Sequence, residues 1–123
     1  MRQKPINSKQ KGARFERQLA AYFRERGYQT RRTAQYCGQT GDAADVTGLP
    51  GIHIEAKHQE RIQLYDWMAQ AVRDADAGGK GSLPAVIHKK NRGETLVTMR
   101  LDDWMTLYEA WKGGGKDGGS QMD

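Results

Sequence analysis

With a single cysteine in 123 residues the chain cannot form an internal disulfide, and Cys37 has no Cys or His partners at ligand spacing with which to anchor a zinc site. It reads as a small polar loop residue. No apolar run is long enough to span a bilayer, and the polar N-terminus lacks the apolar core of a secretory signal. The expectation is a cytoplasmic protein with no membrane partner. No internal repeat is visible, and the length suits one domain that buries roughly 65–70% of its unfolded surface around one core.

What the chain does have is positive charge. It carries 20 Lys and Arg against 15 Asp and Glu, a formal net charge of +5, with an isoelectric point near 9.5. The basic residues fall in three groups: Arg2, Lys4, Lys9, Lys11, Arg14 and Arg17; then Arg31 and Arg32; then Lys89, Lys90 and Arg92. Separated clusters that converge on one face suit a surface that tracks a phosphate backbone, so nucleic acid is the expected partner.

Residues 1–10 are polar and basic and read as a flexible arm; residues 11–112 hold the folded domain; residues 113–123 are glycine-rich, polar and expected to be disordered. From Gly12 to Arg26 the spacing of Phe15, Leu19, Tyr22 and Phe23 predicts a helix, with Asn7 or Ser8 as cap and Gly27 as stop. Tyr28 to Gln35 reads as a strand and Cys37 to Asp42 as a loop. Ala44 to Thr47 and Ile52 to Lys57 read as two short strands around the turn sequence Gly48-Leu49-Pro50-Gly51. A second helix is expected from Ile62 to Ala77, with Leu64, Tyr65, Met68, Ala71 and Val72 inward and Gly78-Gly79 at its end. Leu83 to His88 and Thr95 to Arg100 suggest a hairpin. A last helix starts at Asp102, and its stripe of Trp104, Leu107, Tyr108 and Trp111 is expected in the core. This order predicts an α/β fold, a mixed sheet flanked by helices.

The chemistry concentrates around the second strand pair. Alternation puts Ile52, Ile54 and Ala56 on one face and His53, Glu55 and Lys57 on the other. Phosphodiester hydrolysis needs a divalent ion, and Mg2+ favours carboxylate and water oxygens. Asp45 and Glu55 supply two carboxylates, with the Ala56 carbonyl as a further oxygen, and Lys57 shares their side. For Asp45 to lie opposite Glu55 the connection must have an odd number of residues or a bulge near Gly48 to Gly51. Glu16 partly faces the core, where an unpaired carboxylate is costly unless it edges a metal site. His53 and His58 flank the pair but are read as bystanders, because imidazole favours softer ions. The plain alternative is a solvent-facing strand in which charged and apolar residues alternate.

Taken in order, Lys11-Gly12-Ala13-Arg14-Phe15-Glu16-Arg17, Gly27-Tyr28, Arg32, Asp45-Val46, Ile54-Glu55-Ala56-Lys57 and the Pro84 to Lys89 segment resemble the archaeal-type Holliday junction resolvases, which have the PD-(D/E)xK signature. The resemblance runs from about Lys9 to Lys89. It implies a restriction-endonuclease-like fold and a Mg2+-dependent endonuclease, with Mn2+ able to substitute, that leaves a 5′-phosphate. It also implies Asp45 and Glu55 as metal ligands, Lys57 as the catalytic lysine, Glu16 completing the site, and Arg32 and Lys89 as supporting basic residues. Lys11, Arg14, Lys90 and Arg92 join these as candidate DNA contacts. A homodimer is implied, since a four-way junction is cut on two opposed strands. The sequence departs from the family in the longer stretch from Tyr36 to Gly41. The competing readings are a nuclease of the same fold acting on linear or nicked DNA or RNA, and a basic binding module without catalysis; clustered carboxylates facing a phosphate backbone argue against the latter.

Overall fold

The computed structural model describes residues 8–33 and 44–117. The expected arm up to Asn7, the end of the first strand at Ala34 and Gln35, the Cys37 to Asp42 loop with its cysteine, and the tail beyond Asp117 lie outside the described residues.

Helix α1 (Ser8–Arg24) comes first, then β1 (Arg31–Arg32), β2 (Val46–Thr47), β3 (Ile52–His58), α2 (Leu64–Gly78), β4 (Leu83–Lys89), β5 (Leu96–Thr98) and α3 (Leu101–Asp117). The five strands form one sheet in the order β1-β2-β3-β4-β5. Neighbours run antiparallel except β3 and β4, which are parallel and are joined by the α2 crossover. This is the mixed sheet flanked by helices that the sequence predicts. No helix among the described residues is long and apolar enough to cross a membrane.

Each face of the sheet carries its own core. On one side Phe15, Leu19 and Ala20 of α1 bury against Val46, Ile54, Ala56 and Ile87; on the other Trp67 and Ala71 of α2 bury against Val86. Val86 and Ile87, adjacent on β4, point to opposite faces, as strand geometry requires. Burying Phe15 or Trp67 contributes on the order of 2–3 kcal/mol each. The end of α1 is tied to β1 by two side-chain bonds. Thr30 Oγ1 donates to the Ala20 carbonyl at 2.7 Å, and the Arg24 guanidinium donates to the Thr30 carbonyl at 2.8 Å.

The β2–β3 connection meets the parity condition set by the sequence. Val46 pairs with Ile54, leaving the odd stretch from Thr47 to His53 between them. The Asp45 N–H also donates to the Ile54 carbonyl, at 2.9 Å, so the chain slips by one residue as in a bulge. Gly48 makes this turn possible. Its φ is +106°, and a Cβ placed on it would lie 2.2 Å from the Gln29 carbonyl oxygen and 2.8 Å from Thr30 Cα, both backbone atoms.

Five expectations are corrected. In α2 the inward aromatic is Trp67, 5% exposed, whereas Tyr65 is 93% exposed; the buried stripe is Trp67, Ala71 and Ala75, and the small alanines let the helix approach the sheet closely. Tyr22 of α1 is likewise about half exposed, and Leu19 and Ala20 do the packing. The aromatic stripe of α3 is not core. Leu101, Trp104 and Trp111 are at least half exposed, and Leu107 and Tyr108 are at the exposed boundary. Periodicity identified the apolar face of α3 but carried no information on what covers it. The helix also continues through Gly113 to Asp117, where the sequence suggested an end, and α1 begins at Ser8, inside the expected arm.

Gly48→Ala should therefore destabilise the fold by about 2–4 kcal/mol, combining backbone strain with a clash against rigid main chain. Gly51→Ala, also at positive φ (+82°) but with open space around the Cβ, should cost about 1 kcal/mol. Denaturant unfolding of the two variants checks the difference.

Candidate active site

β3 is the spine of the site. Its α1 face carries Ile54 and Ala56 in the core, and its α2 face carries His53, Glu55 and Lys57. Glu55 is not a solvent-facing strand charge. It is 2% exposed, covered by α2, and it accepts or shares a proton with His53, whose Nε2 lies 3.0 Å from Glu55 Oε2. Asp45, just before β2, turns its Oδ2 onto the Ala56 N–H at 2.8 Å. Asp45 and Glu55 line the same cleft, close enough for each carboxyl group to influence the other's ionisation. Lys57 Nζ donates to Gln70 Oε1 of α2 at 3.2 Å.

Glu16 reaches the same place from α1. Arg32 Nε donates to Glu16 Oε1 at 2.7 Å, and this pair is partly buried. Arg31 is exposed, so of the two adjacent arginines Arg32 is the one that turns towards the site. A cleft of about 510 Å³ brings Glu16, Asp45, Glu55, Ala56, Lys57 and Lys11 together, with Gln70 on its wall.

The other basic candidates are more dispersed. Arg14 is exposed on α1, and Lys90 and Arg92 are exposed at the β4–β5 connection. Lys89 lies on the α1 side of the sheet, beside Phe15, Leu19 and Val97, and does not line the cleft. His58 packs against Phe15 with the rings tilted by 59° at a centroid distance of 5.5 Å, and it hydrogen bonds to Asn91 at 3.1 Å.

Burial dominates the electrostatics. Removal from water pushes the Glu55 carboxyl up to about 7; nearby Asp45 and Asp74 add to the rise and the His53 bond opposes it. Asp45 is raised by burial and held back by the Ala56 N–H and by Lys57. Glu16 is raised by burial, with Arg32 opposing. Three carboxyl groups that resist ionising together are the donor set a divalent cation stabilises, and their oxygen chemistry fits a hard ion.

Sequence reasoning missed Gln70 and Asp74, and it treated His53 as a bystander. Gln70 and Asp74 are four residues apart on α2, beside Ala71 and Ala75. Polar side chains bordering a stripe of alanines on a helix were the available signal, because such a helix lies close enough to a sheet for short side chains to reach it.

Comparison with known proteins gives a family and a likeness of fold. A sequence profile for the family described as "Phage putative PDDEXK endonuclease" matches residues 7–117. Among solved structures, the chain is similar to Hjc of Archaeoglobus fulgidus, a Holliday junction resolvase from an archaeal hyperthermophile. The TM-score is 0.55 and the identity 24%, over 72% of this chain and 76% of that one, a likeness of fold. No curated protein sequence matches.

The pH dependence of the metal-free protein follows from Glu55. Its folded value of about 7 lies above the ordinary 4.5, so the folded state holds a proton that the unfolded chain gives up between those values. Stability contributed by this group is therefore lost as pH rises through that window. Glu55→Gln should raise the melting temperature in EDTA at about pH 8, by about 1–2 kcal/mol of stability, and change it little at about pH 4. Thermal melts at both pH values check the sign.

Proposed function

Because the chain belongs to the PDDEXK endonuclease family, whose members use divalent metal ions, we propose that it is a Mg2+-dependent endonuclease acting on branched DNA, and specifically a Holliday junction resolvase. The observation that supports this most is the convergence of Glu16, Asp45, Glu55 and Lys57 on one cleft from three different elements. A binding module has no physical need to bury carboxylates where a phosphate would approach.

In this reading Asp45, Glu55 and the Ala56 carbonyl hold the ion, and Mn2+ can take its place. A divalent ion there supplies charge to polarise the scissile phosphate and to acidify a water molecule. The Ala56 N–H fixes the Asp45 carboxylate, so the ligand is oriented by main chain rather than by a mobile side chain. Lys57, steadied by Gln70, presents its ammonium to the cleft, where it stabilises negative charge developing on the phosphate. Glu16 completes the acidic edge while Arg32 offsets its charge and contacts phosphate. Lys11 and Arg14 on α1, with Lys89, Lys90 and Arg92 around the β4 end, position the duplex arms.

The likeness of fold to a Holliday junction resolvase supports the choice of substrate. Junction resolution also requires two active sites, and α3 offers a surface for pairing two copies. Leu101, Trp104, Tyr108 and Trp111 recur at the alternating three- and four-residue spacing of a coiled-coil seam, and all four are exposed in the single chain. A seam of this kind left in water is unfavourable, and its burial against a second copy would bring the two clefts into one particle.

Incubation with an immobile four-way junction and with matched linear duplex tests the substrate. The expected result is paired, Mg2+-dependent incision of the junction alone, reduced about a thousandfold or more in Asp45→Asn. Equal cutting of both substrates would mean a less selective nuclease, and no cutting would remove the catalytic reading. For the dimer, analytical ultracentrifugation should show a dimer at micromolar concentration, converted to monomer by Trp104→Glu with unchanged circular dichroism. A wild-type monomer would overturn the paired-site reading.

A further inference from the structure

Around Glu55 the structure gathers a second set of donors. His53, Glu55 and Asp74 each offer one ligand atom, and these atoms lie within 4.8 Å of one another. His53 and Glu55 are buried, at 6% and 2% exposure, and Asp74 is half-buried on α2. Glu55 thus has two carboxylates near it, Asp45 from the segment just before β2 and Asp74 from α2.

Two carboxylates and an imidazole packed together inside a fold favour a cation between them, since it relieves the cost of ionising buried carboxyl groups. The set also has a route for an ion. Glu55 lines the cleft of the proposed active site, while His53 lines a separate cavity of about 490 Å³ formed with the β2–β3 turn, Ala75 and Gly78. The donor trio therefore stands between two openings.

We infer that His53, Glu55 and Asp74 form a second metal position, sharing Glu55 with the one proposed beside Asp45, and that its nitrogen donor selects a transition ion such as Mn2+ over Mg2+. Two oxygens and one imidazole nitrogen suit the borderline divalent ions, which accept mixed N and O sets, whereas Mg2+ prefers oxygen and water alone. Ligand atoms bound at about 2.0–2.2 Å to one ion lie roughly 3–4 Å apart, so the trio needs only a small closing movement to bind. The inference rests on Glu55 being a ligand in the functional reading above, but it concerns binding and needs no turnover.

Mn2+ alone, in excess over the 123-residue chain without DNA, provides the test. Pulsed electron paramagnetic resonance should show the nitrogen modulation of a directly bound imidazole. The chain has three histidines, so the source can be assigned. The signal should vanish in His53→Gln and persist in a double variant carrying His58→Gln and His88→Gln. Asp74→Asn should weaken Mn2+ binding in calorimetry by roughly tenfold or more. A wild-type spectrum without histidine nitrogen, a signal that survives His53→Gln, or unchanged Mn2+ affinity in Asp74→Asn would each overturn the proposal. Should His53→Gln not fold, the double variant decides the point, because loss of the nitrogen signal there would exclude His53. Asp45→Asn separates this proposal from the nuclease reading: the nitrogen signal should remain in it whether or not the wild-type protein cuts DNA.

Discussion

The site depends on the register between β2 and β3. Val46 pairs with Ile54, and a one-residue slip turns the preceding Asp45 onto the Ala56 N–H. A strand shifted by one residue would send Asp45 to the α1 face and place Val46 against the polar side of β3. The register is held by the buried pair Val46 and Ile54 and by the close passage of Gly48 under the Gln29–Thr30 backbone. A hydrophobic contact and a glycine thus determine where two carboxylates meet.

From that point the surroundings account for the chemistry. The α2 crossover lies over Glu55 and removes it from water, raising its proton affinity and increasing what a cation gains by binding there. Arg32 compensates Glu16, which keeps a third carboxylate near the cleft without leaving its charge unbalanced. Lys57 has its partner in Gln70. Glu16, Asp45 and Lys57 are each held by a neighbour from a different part of the fold, so the geometry is fixed by the tertiary fold more than by any one segment.

Much of this was legible in the sequence because it was local. The helical spacing around Phe15, the alternation across Ile52 to Lys57 and the parity of the Gly48–Gly51 turn all act over a few residues. What was not legible was tertiary. Periodicity gave α3 an apolar face without saying whether the chain itself covers it, and the structure leaves Trp104 and Trp111 exposed. Tyr65 and Trp67 compete for the same helix, and only the approach of α2 to β4 decides that Trp67, packed near His88, turns inward. The pairing of His53 with Glu55 and the nearness of Asp74 depend on α2 lying over β3, a contact between segments distant in sequence.

The way α2 meets β3 matches two different periodicities. Along the helix Gln70, Asp74 and Gly78 are spaced by four residues, about 6 Å of rise; along the strand Lys57, Glu55 and His53 are spaced by two, about 6.6 Å. Gln70 meets Lys57, Asp74 meets Glu55, and Gly78, having no side chain, leaves room beside His53. Helix and strand run in opposite directions as two nearly commensurate rulers, so each functional side chain on β3 faces its own rung on α2. Inserting or deleting one residue in the middle of α2 would rotate every later rung by about 100° and disengage the partners of Glu55 and His53 together. The length of this helix between Gln70 and Gly78 is therefore fixed by the strand beneath it, even though much of its outer surface is free to vary.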